Sequence, residues 1–185
     1  MKMKKIEKLL DESKKNRSVI SAYIGNDKSY YNFIVLDRNE EFVLAAKDMD
    51  FQVDGYLIFE IRKIRKVIGA KSTKYEQIMQ AEGVLAALSV PKVNLKSYAS
   101  IFKTFRKSDR LISMDVYSDK YGHYYYIGNV EKVNDKSVFF SFFDADGEWY
   151  SPEKIKYKEV DVIHFADRYA EVFSKYVTDR NDKRA

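Results

Sequence analysis

The sequence predicts a mainly β protein with α-helices, an α+β chain written as a tandem duplication of a five-stranded, strongly bent antiparallel barrel with an N-terminal helix on each copy. Three observations predict it. Sliding the 185 residues by 92 positions lays Ile6, Leu9 and Leu10 over Tyr98, Ile101 and Phe102, and Val19-Ile20-Ser21 over Leu111-Ile112-Ser113. At the same shift Asp27-Lys28 meets Asp119-Lys120 and Asp54-Gly55 meets Asp146-Gly147, and a fixed-period self-match implies a repeated supersecondary unit. Hydrophobic spacing changes twice from the helical period to the strand period, once in each half. Finally, 45% hydrophobic residues with 7 Gly and 2 Pro is the composition of a folded chain rather than a disordered one.

The elements follow in order. Ile6, Leu9, Leu10 and Ser13 lie on one side at helical spacing, with Glu7, Lys8, Asp11, Glu12 and Lys14 elsewhere, so residues 3–16 read as an amphipathic helix. Strands are expected at 18–25, 30–36, 41–47, 55–60 and 64–68, separated by Asn26-Asp27, Asp37-Arg38-Asn39 and Asp54-Gly55. Asn, Asp and Gly serve as turns because they tolerate left-handed backbone or bond their own main chain. Thr73-Lys74-Tyr75-Glu76 offers a capping box for a helix through Ile78, Met79, Val84, Leu85 and Leu88, ended by Ser89-Val90-Pro91. Asn94 can cap a helix whose stripe is Tyr98, Ile101, Phe102 and Phe105, the first helix over again. Strands are expected at 111–117, 124–131, 137–144, 148–151 and 160–165, then a helix through Tyr169, Val172, Phe173 and Tyr176. The organisation is therefore a first unit at 1–70, a helical linker at 71–92, a second unit at 93–178 and a charged tail at 179–185.

A helix leading into five strands, with polar turns at Asp37-Arg38-Asn39-Glu40 and Asn134-Asp135-Lys136 and then an Asp-Gly hairpin, resembles the Sm/LSm variety of SH3-like barrel. The resemblance implies RNA contacts at an Asp-x-x-Asn-type element and at a basic pair before the last strand. In this chain those places hold Asp37-Arg38-Asn39-Glu40, Glu60-Ile61-Arg62-Lys63 and Ile155-Lys156-Tyr157-Lys158. Asn39 stands one residue early, and the basic pair lacks its glycine. The resemblance also implies units that assemble into rings.

Composition narrows the chemistry. With no cysteine, disulfides, thiolate metal sites and cysteine nucleophiles are excluded. No secretory apolar stretch follows the N-terminal lysines and no run of about 18 apolar residues occurs, so the expected setting is cytoplasmic, away from a membrane. His123 and His164 are the only histidines, and each is expected to be structural or solvated, since catalysis needs a positioned partner and zinc about three ligands. Asp144-Ala145-Asp146-Gly147-Glu148 reads as a hairpin turn, because the calcium-loop glycine and terminal Glu positions hold Trp149 and Ile155. Neither a Gly-rich phosphate loop nor a Gly-x-Ser-x-Gly elbow occurs. No catalytic residue, metal, cofactor or small-molecule substrate is expected.

The net charge of +5, from 33 basic and 28 acidic residues, permits polyanion binding without requiring it. The leading expectation is a non-enzymatic binding, adaptor or regulatory module that associates with proteins, itself included, through exposed strand edges and aromatic faces. The alternative is RNA or DNA binding through Arg38, Arg62, Lys63, Lys154, Lys156 and Lys158, with stacking faces from Tyr30, Tyr31, Tyr121, Tyr124, Tyr125 and Tyr126. The competing explanation is structural, since lysines protect exposed strand edges and tyrosines are good strand formers.

Overall fold

The computed structural model describes residues 3–120 and 122–177. Four helices and ten strands are described: α1 (Met3–Asn16), β1 (Val19–Ile24), β2 (Tyr31–Arg38), β3 (Phe42–Asp48), β4 (Val53–Glu60), β5 (Ile64–Ala70), α2 (Thr73–Ala81), α3 (Tyr98–Ser108), β6 (Ile112–Ser118), β7 (Gly122–Val133), β8 (Ser137–Phe142), β9 (Glu153–Lys156), β10 (Val160–Phe165) and α4 (Arg168–Phe173). A 3-10 turn precedes β5 at Ile61–Lys63, and another precedes β10 at Tyr157–Glu159.

The expectation of two separate five-stranded barrels is corrected by the strand pairing. All ten strands belong to one open antiparallel sheet, in the order β5-β1-β2-β3-β4-β10-β6-β7-β8-β9. At its centre β4 pairs with β10, matching Tyr56 to Phe165, Leu57 to His164 and Ile58 to Ile163. The physical reason is burial on both sides of these strands. Leu57, Ile58, Phe59, Val160, Val162, Ile163 and Phe165 are all buried, so each strand needs a neighbour along both edges to satisfy its backbone groups. Pairing β4 with β10 supplies it.

The cores cross this seam as well. Phe42, Leu44 and Ile58 pack with Ile101, Phe102 and Phe105 of α3 and with Ile163 and Phe165 of β10. Val162 of β10 joins Ile6 and Leu10 of α1 in the other large cluster. Neither half keeps its apolar side chains to itself.

Relative to chain order, the strands of each half lie in the same sequence within the sheet. The ladders correspond too: Ile20↔Phe33 answers Ile112↔Gly128, Phe33↔Lys47 answers Gly128↔Phe142, and Phe42↔Glu60 answers Ser137↔Lys156. The 92-residue shift describes β1 and β6 but drifts afterwards, so Gly55 and Gly147 are not counterparts. Gly55 lies within β4, whereas Gly147 donates to the carbonyl of Asp144 in a turn before β9. Gly55 sits at φ +74°, where a Cβ would come within 2.6 Å of the Asp167 nitrogen and 2.7 Å of the Phe165 oxygen. Glycine is therefore required where the seam's backbones approach.

Local chemistry sets the remaining differences. α2 starts from Ser72, whose side chain accepts from the Tyr75 nitrogen at 3.2 Å, and ends at Ala81 before Gly83 takes a positive φ. Ser97 caps α3, whereas Asn94 caps only the short turn that meets the Lys96 nitrogen. The fourth strand of the second half lies at Glu153–Lys156 rather than 148–151: Asp144 Oδ1 accepts from the Asp146 and Glu148 nitrogens and holds a turn before that stretch, which makes only an isolated bridge, Trp149 to Phe143. Residues 178–185, which contain the expected tail at 179–185, lie outside the described residues. No described helix is long and apolar enough to cross a membrane.

Candidate functional site

The β7–β9 end of the sheet collects cations and aromatic rings. In β9 Ile155 is buried while Lys154 and Lys156 are exposed, as the two-residue strand period dictates. Antiparallel pairing with β8 sets Lys154 opposite Phe139 and Lys156 opposite Ser137. The 3-10 turn then carries Lys158 outward, and it anchors through the Tyr157 hydroxyl, which donates to the Asn134 carbonyl at 2.6 Å.

Two clefts share this strand. One of about 520 Å³ is lined by Asp135, Lys136, Ser137, Lys154, Lys156, Tyr157 and Lys158. The other, about 530 Å³, includes Lys120, Tyr124, Tyr126, Glu153, Lys154 and Lys156 in its wall. Tyr124 and Tyr126 stack at 5.9 Å between ring centres, Tyr126 meets Phe142 edge-on, and Phe142 stacks on Tyr150 at 5.2 Å. The Tyr126 hydroxyl donates to Glu153 at 3.2 Å, and burial together with the Glu153 charge pushes this phenol up to about 12. It stays protonated at neutral pH. Lys156 reaches Glu159 at 3.5 Å, an exposed pair of small energetic weight.

The other three expected site residues are engaged elsewhere. Arg38 makes a two-pronged pair with Asp11 of α1 at 2.6 and 2.7 Å. Arg62 pairs with the buried carboxylate of Glu60 at 2.5 Å. Lys63 binds buried Asp161 of β10 at 2.7 Å and the Lys158 carbonyl at 3.0 Å. Two further residues of the Sm-like element are likewise engaged: Asp37 pairs with Lys14, and Asn39 accepts from the Glu41 and Phe42 nitrogens while donating to the Leu95 carbonyl. Removing Arg62 or Lys63 would leave the buried carboxylate of Glu60 or Asp161 without its cation.

Both histidines converge on Asp115. His164 Nε2 lies 2.7 Å from Asp115 Oδ2, His123 Nε2 lies 3.1 Å from Oδ1, and the Tyr31 hydroxyl donates to Oδ2 at 2.8 Å. Burial alone would raise this carboxyl, but the hydrogen bond and charge of His164, the Tyr31 hydrogen bond and the His123 charge hold it below the ordinary value. The Tyr31 phenol is pushed well up by burial and by Asp115. Four strand positions separate β2 from β6 in the sheet order, about 19 Å in a flat sheet. The Tyr31–Asp115 bond therefore requires the sheet to curl. The cluster ties the two halves together, and it does not line either of the lysine clefts.

Among the described residues no group of three or more His, Cys, Asp or Glu is placed to hold a metal ion. Of the expected stacking residues, Tyr124 and Tyr126 face the lysines, Tyr31 and Tyr125 belong to the histidine cluster, and Tyr30 meets Tyr23 edge-on. Tyr121 lies outside the described residues. Lys120 and Lys136 were missed as site residues, though both adjoin turn residues, Asp119 and Asp135, at the mouths of strands that can converge. Compared with protein-family models, curated proteins and solved structures, the chain matches none.

Proposed function

We propose that the protein is a non-enzymatic binding module whose β7–β9 end takes single-stranded nucleic acid, in a cytoplasmic, reducing setting. The observation that supports it is the meeting of Lys154 and Lys156 with Lys120, Tyr124 and Tyr126 around one cleft and with Lys136 and Lys158 around the adjoining one. Lysines supply phosphate contacts that any sequence can satisfy, and tyrosine faces supply stacking that every base can satisfy. A duplex, with its bases already stacked, cannot use the rings.

This reading uses Lys154, Lys156 and Lys158 of the expected set and leaves Arg38, Arg62 and Lys63 to hold the structure. Binding of a mixed RNA or DNA oligonucleotide pool is measured by fluorescence anisotropy across a salt series. Engaging about four phosphates gives a logarithmic salt slope near −3 for a single strand. Lys154→Glu with Lys156→Glu flattens that slope, and Tyr124→Ala costs about 1–3 kcal/mol at every salt concentration. Absence of any shift at about 50 mM salt, where nonspecific contacts are strong, rejects the proposal.

A further inference from the structure

The sheet ends on its other side at β5, whose outer edge pairs with no described strand. Residues Arg65, Lys66, Ile68 and Ala70 are exposed there. An edge of seven residues without proline is a template for another strand. The molecule itself contains the corresponding junction. Ile163, His164 and Phe165 of β10 stand opposite Met114, Ser113 and Ile112 of β6, and Val67, Gly69 and Ala70 of β5 stand opposite Ala22, Ser21 and Ile20 of β1. The outer side of β10 is filled by β4, through Ile58, Leu57 and Tyr56. The strand that fills it, Val-Asp-Gly-Tyr-Leu-Ile-Phe-Glu, is apolar between acidic ends.

The far edge of a second copy fits this edge poorly. The matching free edge, β9, has four residues, follows Pro152 and carries Lys154 and Lys156. Setting those lysines beside Arg65 and Lys66 places like charges across a ladder, and proline withholds a donor. The cationic edge instead complements carboxylates.

We infer that the outer edge of β5 binds an extended, acidic-ended apolar segment of a partner protein by strand addition. Main-chain bonds along Arg65–Ala70 give affinity, Ile68 packs on the segment's apolar side chains, and Lys66, beside Arg65 that the Asp27 carbonyl and the Tyr23 ring hold in place, selects the acidic end that lies next to it. This surface shares no residue with the lysine clefts, although Lys63, just before β5, bonds the carbonyl of Lys158 beside one of them.

The probe is a fluorescent, end-blocked peptide of sequence Val-Asp-Gly-Tyr-Leu-Ile-Phe-Glu titrated with the full chain. Saturable binding is expected, with new hydrogen-exchange protection confined to residues 65–70. Arg65→Glu with Lys66→Glu weakens it at least about tenfold, and a peptide with lysines in place of its Asp and Glu restores binding to that variant. Lack of binding at about 1 mM peptide overturns the inference. So does loss of protection at residues 160–165, which marks strand exchange into the seam, or equal binding of the variant to both peptides. A dimer by light scattering whose hydrogen-exchange protection covers residues 65–70 overturns it as well.

Discussion

Asp115 keeps a charge inside the protein because three donors from three other strands, Tyr31, His123 and His164, surround its carboxylate. Its folded value lies below the ordinary one, so the stability it contributes is present above the unfolded value of about 3.9 and is lost as pH falls through the folded value. Asp115→Asn should therefore cost about 1–3 kcal/mol near pH 7. The gap between its urea midpoint and that of the wild type should narrow as the pH drops from about 5 to 3. A gap that stays constant over that interval would show that the carboxylate charge is not what holds the cluster. Little of this was legible in the sequence. His164 and Asp115 are 49 residues apart and belong to no recognisable spacing, whereas the alternating Lys154 and Lys156 could be read directly from the strand period. Lys63 looked free because its partner, Asp161, is 98 residues away.

At the scale of elements, the helices were the easier reading. The stripe Tyr98, Ile101, Phe102 and Phe105 is buried as its spacing requires. Phe102 packs with α3 neighbours, Tyr157 and the strands of both halves, so Phe102→Ala should lower unfolding free energy by about 3–5 kcal/mol, measured in urea. A loss below about 1 kcal/mol would mean that the site collapses around the smaller side chain. The strand between 148 and 156 was the harder one. Glu148 to Ser151 alternates as a strand does, but Asp144 captures the Glu148 nitrogen and the stretch makes a single bridge, Trp149 to Phe143, whereas the true strand, Glu-Lys-Ile-Lys, holds a single buried residue. Hydrophobic period carries no signal over four residues with one apolar position.

For the molecule as a whole, the five-strand sets were visible in the sequence, but their joining was not, because β4 and β10 are separated by a full half of the chain. A strand reads the same whether its neighbour belongs to its own unit or to the next. The shared clusters have a thermodynamic consequence: unfolding of one half exposes apolar side chains of the other. Heat or urea should give one transition, coincident by far-UV circular dichroism and by tyrosine fluorescence. Two separated transitions would show that the halves are independent.

Placing β10 in the middle of the sheet also imposes an order on synthesis. The strand that completes the centre, β10, is made about a hundred residues after β4, so β4 leaves the ribosome long before its partner exists. Through the translation of about a hundred residues, Tyr56 to Phe59 presents an apolar, unpaired edge, the kind of surface that aggregates or engages chaperones. Contacts so distant along the chain also slow the final folding step. The nascent protein thus passes through a stage that its finished structure no longer displays, with the apolar edge of β4 exposed until β10 arrives.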